Sequence, residues 1–206
     1  GSLRVGATLT IGNYLLPLIV SGFLQSHPES RVKLQVYNTS TIAAMLRRYE
    51  IDLGLVEGQV TDGELEVEHW VEEELVVFCA PEHALAGRET VSFEEIADEP
   101  WIMRERGSGT RETLNQALRH RPGAMVPRLE LEHTEAIKRA VESGLGLGCL
   151  SRLALRDAFR ASPARWFKHA SRWIEKVDRW EQLRAMLERA SRTTPCSGDS
   201  ASSRWP

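Results

Sequence analysis

Hydrophobic positions in the first third of the chain switch between two spacings. Val32, Leu34 and Val36 alternate with Lys33, Gln35 and Tyr37, the period-two pattern of a strand. Leu3 to Thr8 reads as another short strand. Between them, Leu15, Leu16, Ile19, Val20, Phe23 and Leu24 make one helical face. Pro17 must then lie in the first turn, where a missing N–H costs least, and the helix ends before Pro28. Asn38-Thr39-Ser40-Thr41 supplies N-cap residues for a second helix carrying Ile42, Met45, Leu46 and Tyr49. Ile51 to Val56 is a third strand, ended by Glu57-Gly58. The order β-α-β-α-β implies a parallel sheet with flanking helices.

The same alternation returns without repeat-level identity. Leu75 to Ala80 is a strand stopped at Pro81, and Ser92 to Ala97 a short helix before Pro100. Trp101 to Met103 is a strand leading into Gly107-Ser108-Gly109-Thr110, a turn that opens a helix through Leu114 and Leu118. Leu129 to Leu131 is a short strand. Thr134 caps a helix with Ile137, Ala140 and Val141 that stops at Gly144. Leu145 to Leu150 is a Gly-rich buried strand, and Arg152 to Phe159 is helical. Beyond it, Trp166, Ala170, Trp173, Val177, Trp180 and Leu187 follow a heptad-like stripe, interrupted at Arg184. From Thr193 the chain turns small and polar, and is expected to be disordered.

Composition narrows the function classes. Of 206 residues, 42% are hydrophobic and 27% charged, as in a globular protein. A net charge of −3 gives no basic excess for nucleic acid. The sequence shows no signal peptide, and no apolar run approaches the ~20 residues of a membrane span. Cys79, Cys149 and Cys196 lack metal-like spacing; Cys79 and Cys149 sit in apolar runs and read as buried thiols of a reducing, cytoplasmic setting. The six histidines, His27, His69, His83, His120, His133 and His169, show no ligand spacing either, and no cofactor is expected.

The candidate chemistry lies where hydroxyls fall. Thr8 and Thr10 follow the first strand and precede a helix; Thr39, Ser40 and Thr41 follow the second. Ser108 and Thr110, with Gly109 between them, repeat this in the second unit, and Thr134 does so again beside His133. Strand ends and helix starts share one edge of a parallel sheet, where free N–H groups bind anions. Each hydroxyl alone reads equally as a helix cap, but several such turns around one crevice make a site for a small anionic or carboxylate-bearing ligand. Gly107 to Arg111 lacks the Gly-Lys-Ser/Thr ending of a phosphate loop. Ser108 has no nucleophile-elbow context, so an enzyme is not expected. Glu72-Glu73-Glu74 reads as a solvated face.

In combination, several segments resemble the effector-binding domain of LysR-type transcription regulators. They are Leu3 to Thr8, Tyr14 to Pro17, Asp52 to Gly58, Leu75 to Pro81, Arg104 to Arg111, Glu135 to Lys138 and Gly144 to Arg152. The run Arg104 to Glu112 is similar to the branch containing CysB-like and YeiE-like regulators, some of which respond to sulfur oxyanions. The resemblance covers about residues 3 to 160. It implies two α/β lobes of periplasmic-binding-protein type, joined by crossing strands with the effector between them. It also implies contacts from Thr8, Thr10, Thr39, Ser40, Ser108 and Thr110, and a homodimer or tetramer. DNA would be contacted only through an N-terminal helix-turn-helix, which is absent from this sequence. The expected division is 1–72 for the first lobe and 73–162 for the second. A helical segment at 163–192 would associate with the first lobe, followed by a tail at 193–206. One departure concerns Glu57, where the family often carries a small polar residue. A carboxylate there needs a cation, either Arg106 or a group on the ligand. A solute-binding protein of a transporter is the alternative reading.

Overall fold

The computed structural model describes residues 1–161, apart from 61, 71–72, 89, 120–124 and 126. The expected helix at 163–192 and tail at 193–206 lie outside the described residues, as do Cys196, His120 and His169.

The first lobe is a three-stranded parallel sheet in the order β2-β1-β3, made by β1 (Ser2–Ala7), β2 (Arg31–Val36) and β3 (Leu53–Leu55). Helix α1 (Leu16–Ser26) connects β1 to β2 and has Pro17 in its first turn. A π-helical turn, Ile11–Leu15, precedes α1 and was not foreseen from the spacing. Such turns widen one helical turn and recur at functional sites. Helix α2 (Thr39–Arg47) connects β2 to β3, with the Asn38 carboxamide accepting the Thr41 N–H at 3.0 Å. Leu3, Val5, Ala7, Leu16, Ile19 and Phe23 form the core under α1, while Ile42, Met45 and Ile51 fill the space under α2. A bidentate pair from Arg4 to Asp52 (2.6 and 3.2 Å) ties the β1 and β3 segments. The Arg4 guanidinium holds the Asp52 carboxyl below its ordinary range.

Trp70 still packs on the first core, and by Leu75 the chain is in the second lobe. There β4 (Leu75–Phe78), β5 (Trp101–Arg104), β6 (Pro127–Leu131) and β7 (Leu147–Ser151) form a sheet in the order β4-β7-β5-β6. Neighbouring strand residues face opposite sides: Val76, Phe78 and Ile102 meet Ile137 and Val141, whereas Val77, Cys79, Trp101 and Met103 face Ile96. Helices α3 (Phe93–Ala97), α4 (Gly109–Leu118), α5 (Thr134–Glu142) and α6 (Arg152–Ala161) cover it. Gly144, at φ 79°, terminates α5 as its position after the apolar stripe implied.

One expectation needs correction, and one strand departs from the β-α alternation. That strand is β4, which runs antiparallel to β7. It enters from the first lobe, so no β-α crossover within its own lobe fixes its direction. The expectation is the acidic run: Glu73 and Glu74 do not form a solvated face. The Glu74 carboxylate is buried against Arg152 at 2.7 Å. Glu73 is exposed along its length, but its carboxyl end turns inward to accept the Ser151 hydroxyl and the Leu153 N–H. Burial of that end pushes the Glu73 carboxyl above its ordinary range, and the charges of Glu57 and Glu74 add to the rise. Both carboxylates thus anchor the start of α6. Among the described residues, no helix is long and apolar enough to cross a membrane.

Candidate functional site: a hydroxyl-lined junction between two lobes

The two lobes meet edge to edge where β1, β2 and β3 end and where α4 and α5 begin. One half of the junction is closed. The Thr39 hydroxyl donates to the Glu57 carbonyl at 2.9 Å and accepts the Gly109 N–H at 3.2 Å. Beside it, the Ser40 N–H reaches the Gly107 carbonyl at 3.2 Å. Only glycine permits this approach: a Cβ on Gly109 would overlap the Glu57 carbonyl and come within 2.9 Å of Thr39 Oγ1. Gly107, at φ 87°, supplies the left-handed turn before α4. Ser108 is the buried N-cap residue of α4, yet its hydroxyl makes no cap bond. Thr110 is buried and lines a small cavity between β5 and α4 with Arg104, Arg111 and Leu114.

The other half is arranged differently. Thr8 follows β1, with its N–H on the Leu55 carbonyl at 3.0 Å and its own carbonyl accepting the Gly12 N–H at 2.7 Å. Its hydroxyl is buried and has no hydrogen-bond partner. Thr10 is buried at the entry to the π-helical turn. Across the junction, Thr134 is the first residue of α5, and its buried hydroxyl also lacks a partner. His133, not Thr134, is the N-cap residue; its exposed side chain makes no cap bond. The Tyr14 hydroxyl bridges the lobes to Glu135 at 2.7 Å, and Lys138 pairs with the same carboxylate at 2.5 Å. Burial raises the Glu135 carboxyl, but the bonds from Lys138 and Tyr14 outweigh it and leave the group below its ordinary range.

Every residue singled out from the sequence lies at these helix starts, but the structure separates them into bonded and unbonded sets. Tyr14, Glu135 and Lys138 were missed as junction residues; only chain order in space reveals that Tyr14 and Glu135 meet. The expected Glu57–Arg106 pair does not form. Arg106 is exposed, and Glu57 Oε1 is buried without a partner. Arg104 instead holds Glu105 through two bonds of 2.8 and 3.1 Å. The thiols of Cys79 and Cys149 are pushed up to about 11 and about 12 by burial, so neither is an activated nucleophile. Among the described residues, no three of His, Cys, Asp or Glu converge as metal ligands.

Two α/β lobes closing over a polar junction define a two-lobed ligand-binding fold of periplasmic-binding-protein type. A family model described as the LysR substrate binding domain matches residues 1–168. The chain belongs to that family. It is 40% identical over 161 residues to the uncharacterized HTH-type transcriptional regulator YeiE of Escherichia coli (strain K12), which covers 78% of this chain and 55% of that protein. It is 36% identical over 159 residues to the HTH-type transcriptional regulator CysL of Bacillus subtilis (strain 168), covering 76% of this chain and 52% of the relative. The chain thus spans about half the length of these relatives. The regulatory domain of CcmR from Synechocystis PCC6803, solved in complex with 2-PG, superposes with a TM-score of 0.74 at 25% identity, over 95% of this chain and 100% of that one.

Proposed function

We propose that this chain is the small-molecule-sensing part of a DNA-binding transcription regulator. A small anionic or carboxylate-bearing effector binds between the lobes, on the side of Thr8 and Thr134. One observation carries this reading: two hydroxyls from opposite lobes, on residues each only 3% exposed, have no hydrogen-bond partner. An unsatisfied buried hydroxyl costs about 1–3 kcal/mol. A ligand that accepts from both removes that cost, and the free N–H groups at the start of α5 favour negative charge there. The 2-PG complex of the CcmR domain supports a ligand in this fold.

Within this reading, Thr10, Ser108, Thr110 and His133 form the surround of the effector. Thr39, Ser40 and Gly109 hold the lobes at the bound closure angle. Ligand binding shifts the population of closure angles. In a homodimer or tetramer, that shift repositions helix-turn-helix segments of the kind named in the relatives. The lobes run over 1–72 and 73–162, and the protein acts in the cytoplasm, where its DNA is.

A thermal-shift screen with small oxyanions, carboxylates and amino acids tests the reading. At a hundredfold excess over Kd, a ligand stabilises by about 2.7 kcal/mol, or several degrees. One anionic class is expected to do so. A screen with no such class would contradict the proposal, as would a shift that survives loss of both hydroxyls.

A further inference from the structure

Glu57 is the residue at this junction that an anion site does not explain. It follows β3, in the segment pressed against α4: its carbonyl takes the Thr39 hydroxyl, and a Cβ on the next residue, Gly58, would come within 3.0 Å of Gly109 Cα. Its Oε1 is buried and has no hydrogen-bond partner. The neighbouring charge makes this worse, because Glu73 is close enough for the two carboxylates to repel. No cation answers it: Arg106 is exposed and does not pair with it, Arg111 keeps one buried Nε unpartnered but does not reach it, and the other nearby cations are committed. Arg104 holds Glu105, Arg111 holds the Arg104 carbonyl and Glu130, Arg152 holds Glu74, and Lys138 holds Glu135. The residue is half-buried, with Oε1 out of water; a buried oxygen without a donor is unfavourable, and the penalty falls when a cation donates to it.

The junction therefore has two poles of opposite demand. Thr8 and Thr134 offer hydroxyl donors and α5 offers its N-terminus, which suit an anion. Glu57 offers an uncompensated acceptor, which suits a cationic donor. We propose that the effector is an amphoteric small molecule, an acid that also carries an ammonium group, with Glu57 as the residue that selects for the ammonium. This inference rests on the effector reading above and narrows its ligand class.

Matched pairs differing only by an amino group test it on the full chain: acetate and glycine, methylphosphonate and aminomethylphosphonate, ethanesulfonate and taurine. Affinities are read by calorimetry and thermal shift in the wild type, Glu57→Gln, Glu57→Asp and Thr8→Val/Thr134→Val proteins. In at least one pair the amino member is expected to bind about tenfold tighter or more, the scale of one charge-assisted hydrogen bond. Glu57→Gln should erase that preference without weakening the amino-free partner, and Glu57→Asp should retain part of it. Amino-free members that bind as tightly as their partners, through Thr8 and Thr134, would overturn the ammonium selection and leave the effector reading intact. Failure of all six probes, or binding indifferent to Thr8→Val/Thr134→Val, would overturn both. Variants that fail to fold are recognised by their unliganded melting, and the wild-type pair comparison stands without them.

Discussion

Thr39 and Thr8 are both threonines at the carboxyl edge of the first sheet, and they sit in opposite conditions. Thr39 uses its hydroxyl twice, donating to Glu57 and accepting from Gly109 across the junction. Thr8 uses its hydroxyl for nothing, and its counterpart Thr134 on the other lobe is the same. One half of the junction is a finished contact between lobes; the other half has donors waiting for an acceptor. Position alone marks a helix start, and only the bonding of each hydroxyl separates a latch from an unsatisfied donor.

The largest effect should come from filling the latch. Gly109→Ala places a methyl into the Glu57 carbonyl and Thr39, with backbone on one side that cannot retreat. A loss of about 3 kcal/mol is expected in urea unfolding, or a wider separation of the lobes by solution scattering. Wild-type stability with wild-type dimensions would mean the closed contact is not what holds the lobes. Thr39→Val keeps the shape but strands the Gly109 N–H, which should cost about 1–2 kcal/mol. Melting without ligand measures it. Tyr14→Phe removes one exposed bond to Glu135, on the half proposed to take the effector, and should cost only about 0.5 kcal/mol unliganded. A loss as large as that of Thr39→Val would blur the distinction between the halves.

The smallest effect concerns Glu73 and is visible only in its pH dependence. The folded protein raises this carboxyl, so the native state binds a proton more tightly than the unfolded chain does. Stability is therefore complete below the ordinary glutamic acid range and falls as pH rises through the interval up to the raised value. Glu73→Gln keeps an oxygen for Ser151 and Leu153 but cannot ionise. Its melting temperature should exceed that of the wild type at pH 8 and match it at pH 4. Equal melting at both would show that burial does not raise the Glu73 carboxyl.

Much of the frame was legible because it depends on local spacing. The i, i+4 stripe from Leu15 to Phe23 and the alternation from Val32 to Val36 each specify a burying face, and both elements form where expected. The edges of the two sheets that hold Thr8 and Thr39, and Ser108 and Thr134, follow from chain order. The direction of β4 was not legible, since it depends on which lobe delivers the strand. Nor was the fate of Glu57, because Arg106 is exposed to solvent, while Arg104, two residues earlier at the end of β5, is buried on Glu105. The hydrogen-bond partner of each hydroxyl lies 18 or 70 residues away, as for Thr39, or is missing, as for Thr8. Sequence spacing does not encode such distances.

The most direct test compares Thr8→Val/Thr134→Val with Thr39→Val, each melted alone and with the best anion from the screen. Replacing two unsatisfied hydroxyls by methyl groups should leave unliganded melting unchanged or slightly higher and abolish the ligand-induced shift. Thr39→Val should lower the unliganded melting and still respond to ligand. If Thr8→Val/Thr134→Val melts lower yet keeps its full ligand response, the two halves of the junction do not divide the work in this way.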